Sequence, residues 1–231
     1  MLFILLQGAL VSVEIFFLTL MFALPFALLL AFGRISKNLV LKNIISFYLL
    51  IMRGTPLILQ LIFIYFAPKY LYMFLYEYLG SLVSLPSAFW SVLKFLLSYN
   101  RFAAVIIAFV LNYAAYFAEI YRGGIESIPI GQYEAARALG LGERQIFEKI
   151  ILPQLIKRIL PAMGNEVITL VKDTALAQVI GVAELFHYAQ NAASREFSTV
   201  PIFIAGLFYL VMNWIVSLVF NKFEKKLSYY P

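Results

Sequence analysis

Glu166 and Asp173 carry the chemistry most in need of a reason. They sit seven positions apart in the mostly apolar run "GNEVITLVKDTALAQ". On a helix that spacing puts both carboxylates on nearly one face, about 10 Å apart along the axis. Asn165, Thr169 and Thr174 add hydrogen-bonding groups nearby, and Lys172 precedes the aspartate. A second apolar run carries Asn112, Tyr116 and Glu119 at i, i+4 and i+7. Ionisable groups at membrane depth are costly, and they mark either an internal pair or a path for something polar. Two such stripes facing each other would line a chamber, and two carboxylates on one face suit a positively charged guest. The internal alternatives are Lys172 paired with Glu119, or Asp173 capping a neighbouring helix.

Composition says which elements must hold these residues. The chain has 231 residues, 63% hydrophobic and 13% charged, with a mean hydropathy of +0.90. A soluble domain carries about a quarter charged residues. The sequence therefore predicts an all-α, polytopic membrane protein with about five transmembrane helices. The spans fall near 9–32, 43–67, 102–122, 162–183 and 201–221. The second is interrupted at Arg53–Pro56 ("RGTP"), where proline removes a backbone donor and forces Thr55 out of the helical region. The first run lacks the basic leader and cleavage site of a secretory signal, so it reads as a retained span. Two aromatic-rich pieces within 68–100 are too short to cross singly and read as outer-surface helices flanking "SLPS".

Orientation follows from Lys and Arg. Five spans put Arg34, Lys37, Lys42, Arg122 and the basic residues of 137–158 and 222–226 on one side. Only Lys69, Lys94, Arg101 and Arg195 lie on the other. The positive-inside rule makes the richer side cytoplasmic, with the N-terminus outside and the C-terminus in the cytoplasm. The net charge of +6 is accounted for by those loops and is no sign of nucleic-acid binding. With no cysteine and one histidine, His187, no metal site is expected. Glu126 and Arg122 are expected to pair with each other or with the segment that follows, and Gln60 and Gln178 to be interhelical hydrogen bonders.

The segment Gln132–Pro153, "QYEAARALGLGERQIFEKIILP", is charged and alanine-rich. It predicts a short helix ended by Gly140, then a second helix from Gly142–Glu143 presenting Ile146, Phe147, Ile150 and Ile151 and stopped at Pro153. Tyr133, Ala136 and Leu139 or Gly140 fall on one side of the first helix. Ala135 and Ala138 offer flat surface. Residues alone leave two readings open: a docking knob for a protein, or a helix lying on lipid headgroups.

The same segment resembles the EAA signature of bacterial ABC-importer permeases, with Glu134-Ala135-Ala136, Gly140, Ile150 and Leu152-Pro153 in place. "RGTPLILQ" (53–60), "AEIYRGGIESIPIGQYEAA" (118–136) and "LVKDTALAQVIGVAEL" (170–185) are similar to the polar amino acid subfamily. The resemblance covers the chain except 68–100. It implies a single permease domain over 1–231 of the type I importer fold in the bacterial inner membrane, with 68–100 an outer-side insertion and 132–153 a cytoplasmic coupling element. It implies ABC ATPase subunits, a second permease subunit (a copy or a paralogue) and an external solute-binding protein as partners, besides membrane lipid. Tyr133, Glu134, Ala135, Ala136, Leu139 and Gly140 would engage the ATPase. Glu166, Asp173, Asn112, Tyr116, Glu119, Thr169, Lys172 and Thr174 would bind the solute, a polar and preferably cationic amino acid, although Lys172–Thr174 would equally serve gating or structure. The chain has no G-x-x-x-x-G-K-[ST], so ATP and Mg²⁺ would enter through the partner and the chain itself is no enzyme. The competing reading is an ion-coupled secondary carrier titrating Glu119, Glu166 and Asp173.

Overall fold

A computed structural model describes residues 1–82 and 86–227. Everything regular among them is helical. In order these are α1 (Leu2–Ile35), α2 (Leu39–Gly54), α3 (Leu57–Leu82), α4 (Ser87–Leu96), α5 (Arg101–Glu126), α6 (Ile130–Ala138), α7 (Glu143–Ile146), α8 (Leu152–Asp173), α9 (Leu185–Glu196) and α10 (Val200–Leu227). A π turn (Phe147–Ile151) joins α7 to α8, and a 3₁₀ segment (Thr174–Ile180) follows α8.

Four helices are long and apolar enough to cross a bilayer: Leu2–Ile35, Leu57–Gly80, Arg101–Glu126 and Val200–Leu227. The fourth crossing expected at 162–183 is not one α-helix: α8 begins earlier, ends at Asp173 and gives way to the 3₁₀ segment to Ile180, and α8 does not meet that standard, carrying Lys157, Arg158, Glu166, Lys172 and Asp173. It packs between α5 and α10, which leaves Glu166 and Asp173 half-buried while Arg158 and Lys172 stay exposed.

The centre of the molecule is the long contact of α1 with α5. Ala23, Ala27 and Ala31 of α1 and Ala104, Ala108, Ala114, Ala115 and Ala118 of α5 are buried there. Lipid chains are as apolar as leucine, so helices in membranes associate through close packing of small residues. Side-chain caps fix where helices begin. The Asn38 side chain accepts from the amides of Val40 and Leu41, and that of Asn100 from Ala103.

Two sequence expectations are corrected by Pro68 and Pro153. Residues 68–82 are not a separate surface helix: α3 runs through Pro68 to Leu82. In an apolar setting every backbone group must be bonded internally, so a helix that loses one bond to proline still outcompetes a loop. Only α4 is a separate helix in that region, and the expected break at "SLPS" lies partly outside the described residues. Pro153 likewise does not stop a helix. It sits in the first turn of α8, where the missing N–H costs least, and the chain continues helically to Asp173.

The end of the molecule at α9 is tied by one carboxylate. Glu184 is fully buried and caps α9, accepting from the amides of Phe186 at 2.7 Å and His187 at 2.8 Å. The Tyr209 hydroxyl of α10 donates to it at 2.8 Å. Ser12 of α1 donates to it more weakly at 3.4 Å and accepts from the Leu185 amide. Three helices thus meet on one side chain. Replacing Glu184 with Ala should lower stability by about 2–3 kcal/mol, because buried donors are left unpaired, and Tyr209→Phe by only about 1 kcal/mol. Thermal denaturation of the purified protein in detergent reads both.

Candidate functional site

The break between α2 and α3 is where the site begins. Thr55 is extended (φ −120°, ψ 146°) and Pro56 restarts the chain as helix. A broken helix at membrane depth frees backbone carbonyls that need partners, and two side-chain amides supply them. The Gln60 Nε2 lies 2.9 Å from the Met52 carbonyl and 3.1 Å from that of Thr55. The Asn112 Nδ2 of α5 donates to Met52 O and to Gln60 Oε1, both at 3.0 Å. Gln60 is thus an interhelical hydrogen bonder, as expected. Asn112 is buried and is engaged in this knot.

The knot borders a cavity of about 480 Å³ lined by Thr55, Pro56, Leu57 and Ile58 of the break, Asn112, Tyr113 and Tyr116 of α5, and Glu166, Thr169, Asp173 and Leu176. Five sequence candidates therefore converge: Asn112, Tyr116, Glu166, Thr169 and Asp173. Leu57 and Ile58, also in the lining, contribute the first amides of α3, which have no intrahelical acceptor and lie at the positive end of the helix dipole. Tyr113, which the sequence reading passed over, donates from its hydroxyl to Asp173 Oδ2 at 2.6 Å. That bond replaces the expected capping of a helix by Asp173. Tyr113 lies one turn before Phe117 and one after Phe109, so in sequence it looks like core.

The structure does not bring Glu119, Lys172 or Thr174 to this cavity. Glu119 lies one turn beyond Tyr116, where Arg122 (2.8 Å) and Arg53 (3.3 Å) hold its carboxylate. Lys172 is exposed on another face of α8, so the proposed Lys172–Glu119 pair does not form. Thr174 is buried and donates to the Val171 carbonyl. Arg53 also lies over the Tyr116 ring, 5.6 Å from its centroid. The expected Arg122–Glu126 pair is present. A charged ladder, Arg53–Glu119–Arg122–Glu126, thus runs from the cavity's edge to the end of α5.

The segment after that end is compact. Ile128, Ala136, Ile146, Ile151 and Leu155 form a small separate core. Arg158 donates to the Ser127 carbonyl and hydroxyl, fixing the α5–α6 corner to α8. α6 ends in a Schellman motif: the Gly140 amide reaches Arg137 O and the Leu141 amide Ala136 O, with Gly140 at φ +75°, as a glycine in that position allows. Tyr133 and Ala136 face inward, contrary to the grouping with Leu139 read from the sequence. The helix is too short to turn two faces outward, and its apolar pair is used against Ile146 and Ile151. The outward face is Glu134, Ala135 and Ala138 with Gly131, which has open space around it. Ile130 (73%) and Leu139 (80%) are exposed at its ends.

Comparison with known proteins now decides the family. Residues 23–229 match the family described as binding-protein-dependent transport system inner membrane component. This chain is a permease of that family. The octopine transport system permease of Rhizobium radiobacter is 36% identical over 212 residues, covering 88% of this permease and 79% of its own length. The arginine ABC transporter permease of Haemophilus influenzae is 33% identical over 224 residues, covering 96% and 92%. A Rickettsia conorii protein named for glutamine transport is 33% identical over 226 residues, covering 97% and 93%. Among solved structures, an amino acid ABC transporter crystallised with histidines superposes with a TM-score of 0.78 at 31% identity, covering 96% of this permease and 94% of that chain. An inward-facing MetNI methionine transporter superposes at 0.67 with 18% identity, covering 99% and 98%, a likeness of fold. The permease is thus an inner-membrane transport component with the importer fold read from its signature segment.

If the Gln60–Asn112 knot holds the break, Gln60→Leu should speed amide hydrogen exchange at Leu59–Leu61 by roughly tenfold while leaving α1 unchanged, since about one kcal/mol or more of local bonding is lost. Hydrogen–deuterium exchange by mass spectrometry in detergent reads this.

Proposed function

We propose that this permease imports a polar amino acid, preferentially a cationic one, by alternating access driven by a separate ATPase. One observation carries the reading: a single cavity offers Glu166 and Asp173 on one wall and the free α3 amides at Leu57 and Ile58 on another. An amino acid has the complementary layout, with its carboxylate suited to the amides and its positive groups to the carboxylates. The relatives named for arginine and octopine support a cationic guest. The one named for glutamine makes a neutral polar amino acid the comparison that any test must include.

The α6 face of Glu134, Ala135, Ala138 and Leu139, with Gly140 closing it, would seat in the ATPase, while Tyr133 and Ala136 hold the knob to α8. ATP and Mg²⁺ would act in that partner alone. A solute-binding protein would deliver the guest from outside, and a second permease subunit, a copy or a paralogue, would complete the pathway. In this reading the whole chain, 1–231, is one membrane domain, with its N-terminus outside and α6 and the C-terminus in the cytoplasm.

Three results test it in proteoliposomes, with the assembled transporter or the permease alone. Glu134→Arg should abolish ATP-driven uptake while membrane insertion and assembly of the permease persist; uptake at the wild-type rate would remove the coupling role. Uptake that survives without the ATPase and collapses with an ionophore would establish the secondary-carrier reading instead. Glu166→Gln should weaken arginine uptake by roughly tenfold or more, and glutamine uptake far less, because a desolvated charge pair is lost only for the cation. Equal losses would remove charge recognition.

A further inference from the structure

At the end of α5 away from α6, we infer that α3 and α4 form a binding site for the headgroup of an anionic phospholipid. A cavity of about 400 Å³ opens there, lined among others by Tyr65, Lys69, Tyr72, Lys94, Ser98 and Tyr99. Apart from Tyr65 and Phe66, its lining falls within 68–100.

Its charge is uncompensated. Lys69 comes from α3 and Lys94 from α4, and among the described residues neither has a carboxylate at ion-pairing distance. Glu77 is the one acidic residue in 68–100. Two ammonium groups converging on one cavity without a counter-ion suit a phosphate ester, and each basic residue near a membrane surface contributes about 1 kcal/mol toward anionic lipid.

Its walls are fixed. Trp90 of α4 packs edge-on against Tyr72 and Tyr76 of α3, with centroids 6.5 and 5.1 Å apart. The Tyr99 hydroxyl donates to the Ile64 carbonyl. Arg101 donates from Nε to the Tyr65 hydroxyl at 3.3 Å, which adds a third cation behind the wall.

Its surroundings say lipid rather than a soluble acidic partner. α4 buries Trp90 on one face yet leaves Phe89, Val92 and Phe95 exposed on another, Phe95 by 81%. On α3, Tyr70, Phe74 and Tyr78 are exposed as well. A helix apolar on both sides belongs among acyl chains, and tyrosine and tryptophan concentrate at headgroup level. Lysines reaching from such a helix place their ammonium groups at that same level. The 26 residues of α5 separate this cavity from the α6 end by about 39 Å, the thickness of a bilayer with its headgroups. The cavity therefore opens at the membrane boundary opposite α6. That boundary is the outer one in the orientation proposed above, whereas headgroup capture holds in either orientation.

The test uses the full chain, as wild type, Lys69→Gln/Lys94→Gln and Lys69→Arg/Lys94→Arg, in nanodiscs of phosphatidylcholine with a minor fraction of phosphatidylglycerol. Native mass spectrometry after release counts the lipids retained. The wild type and the arginine variant should keep phosphatidylglycerol, and the glutamine variant should lose it by roughly tenfold or more, with phosphatidylcholine retention unchanged. Equal melting temperatures in pure phosphatidylcholine show that the glutamine variant is folded. Equal phosphatidylglycerol retention by wild type and the glutamine variant overturns the site. Inorganic phosphate displacing phosphatidylglycerol from the wild type at millimolar concentration overturns the lipid assignment in favour of a small-anion site.

Discussion

A helix that breaks inside a membrane must find new partners for the carbonyls it frees, and in this permease the Gln60–Asn112 pair provides them. The bonds to Met52 and Thr55 give those carbonyls protein partners and help make the break at Pro56 tolerable. From the break follow the direction of α3, the free amides at Leu57 and Ile58, and the wall they give the cavity. Because Asn112 belongs to α5, the break is also docked on the central helix, in register with Tyr113 and Tyr116.

α5 is the element on which the remaining parts converge. Its early turns pack small residues against α1, its middle lines the cavity, and its last turns carry the arginine–glutamate ladder before the corner at Ser127. Arg158 pins that corner to α8, the same helix that carries Glu166 and Asp173. The small core of Ile128, Ala136, Ile146, Ile151 and Leu155 packs α6 against the start of α8. Both helices that line the cavity thus reach α6, α5 along the chain and α8 through that packing.

The sequence made the helical class, the family and the break at Arg53–Pro56 legible, because each is written locally: apolar length, a long gapped motif, and a proline preceded by an extended residue. The stripe spacing also brought together Asn112, Tyr116, Glu166, Thr169 and Asp173 correctly in space. It failed at Glu119, whose fate depends on Arg53 from another helix. It failed again at Tyr113, whose aromatic neighbours hide its hydroxyl. Glu184 escaped notice because glutamate is not a preferred capping residue, and its role depends on Ser12 and Tyr209, distant in the chain. Prolines 68 and 153 misled for different reasons: an apolar setting favours continuing α3 through Pro68, and Pro153 falls in the first turn of α8, where a missing N–H costs least.

The π turn at Phe147–Ile151 has a geometric consequence for the far end of α8. A π turn closes i to i+5 and so accommodates one residue more than an α turn. Were that extra residue threaded into regular α geometry, everything downstream would swivel by about 100°. Glu166 and Asp173 would then swing away from Tyr113. The wide turn acts as a vernier, setting the azimuth of the two acids from a point several turns away.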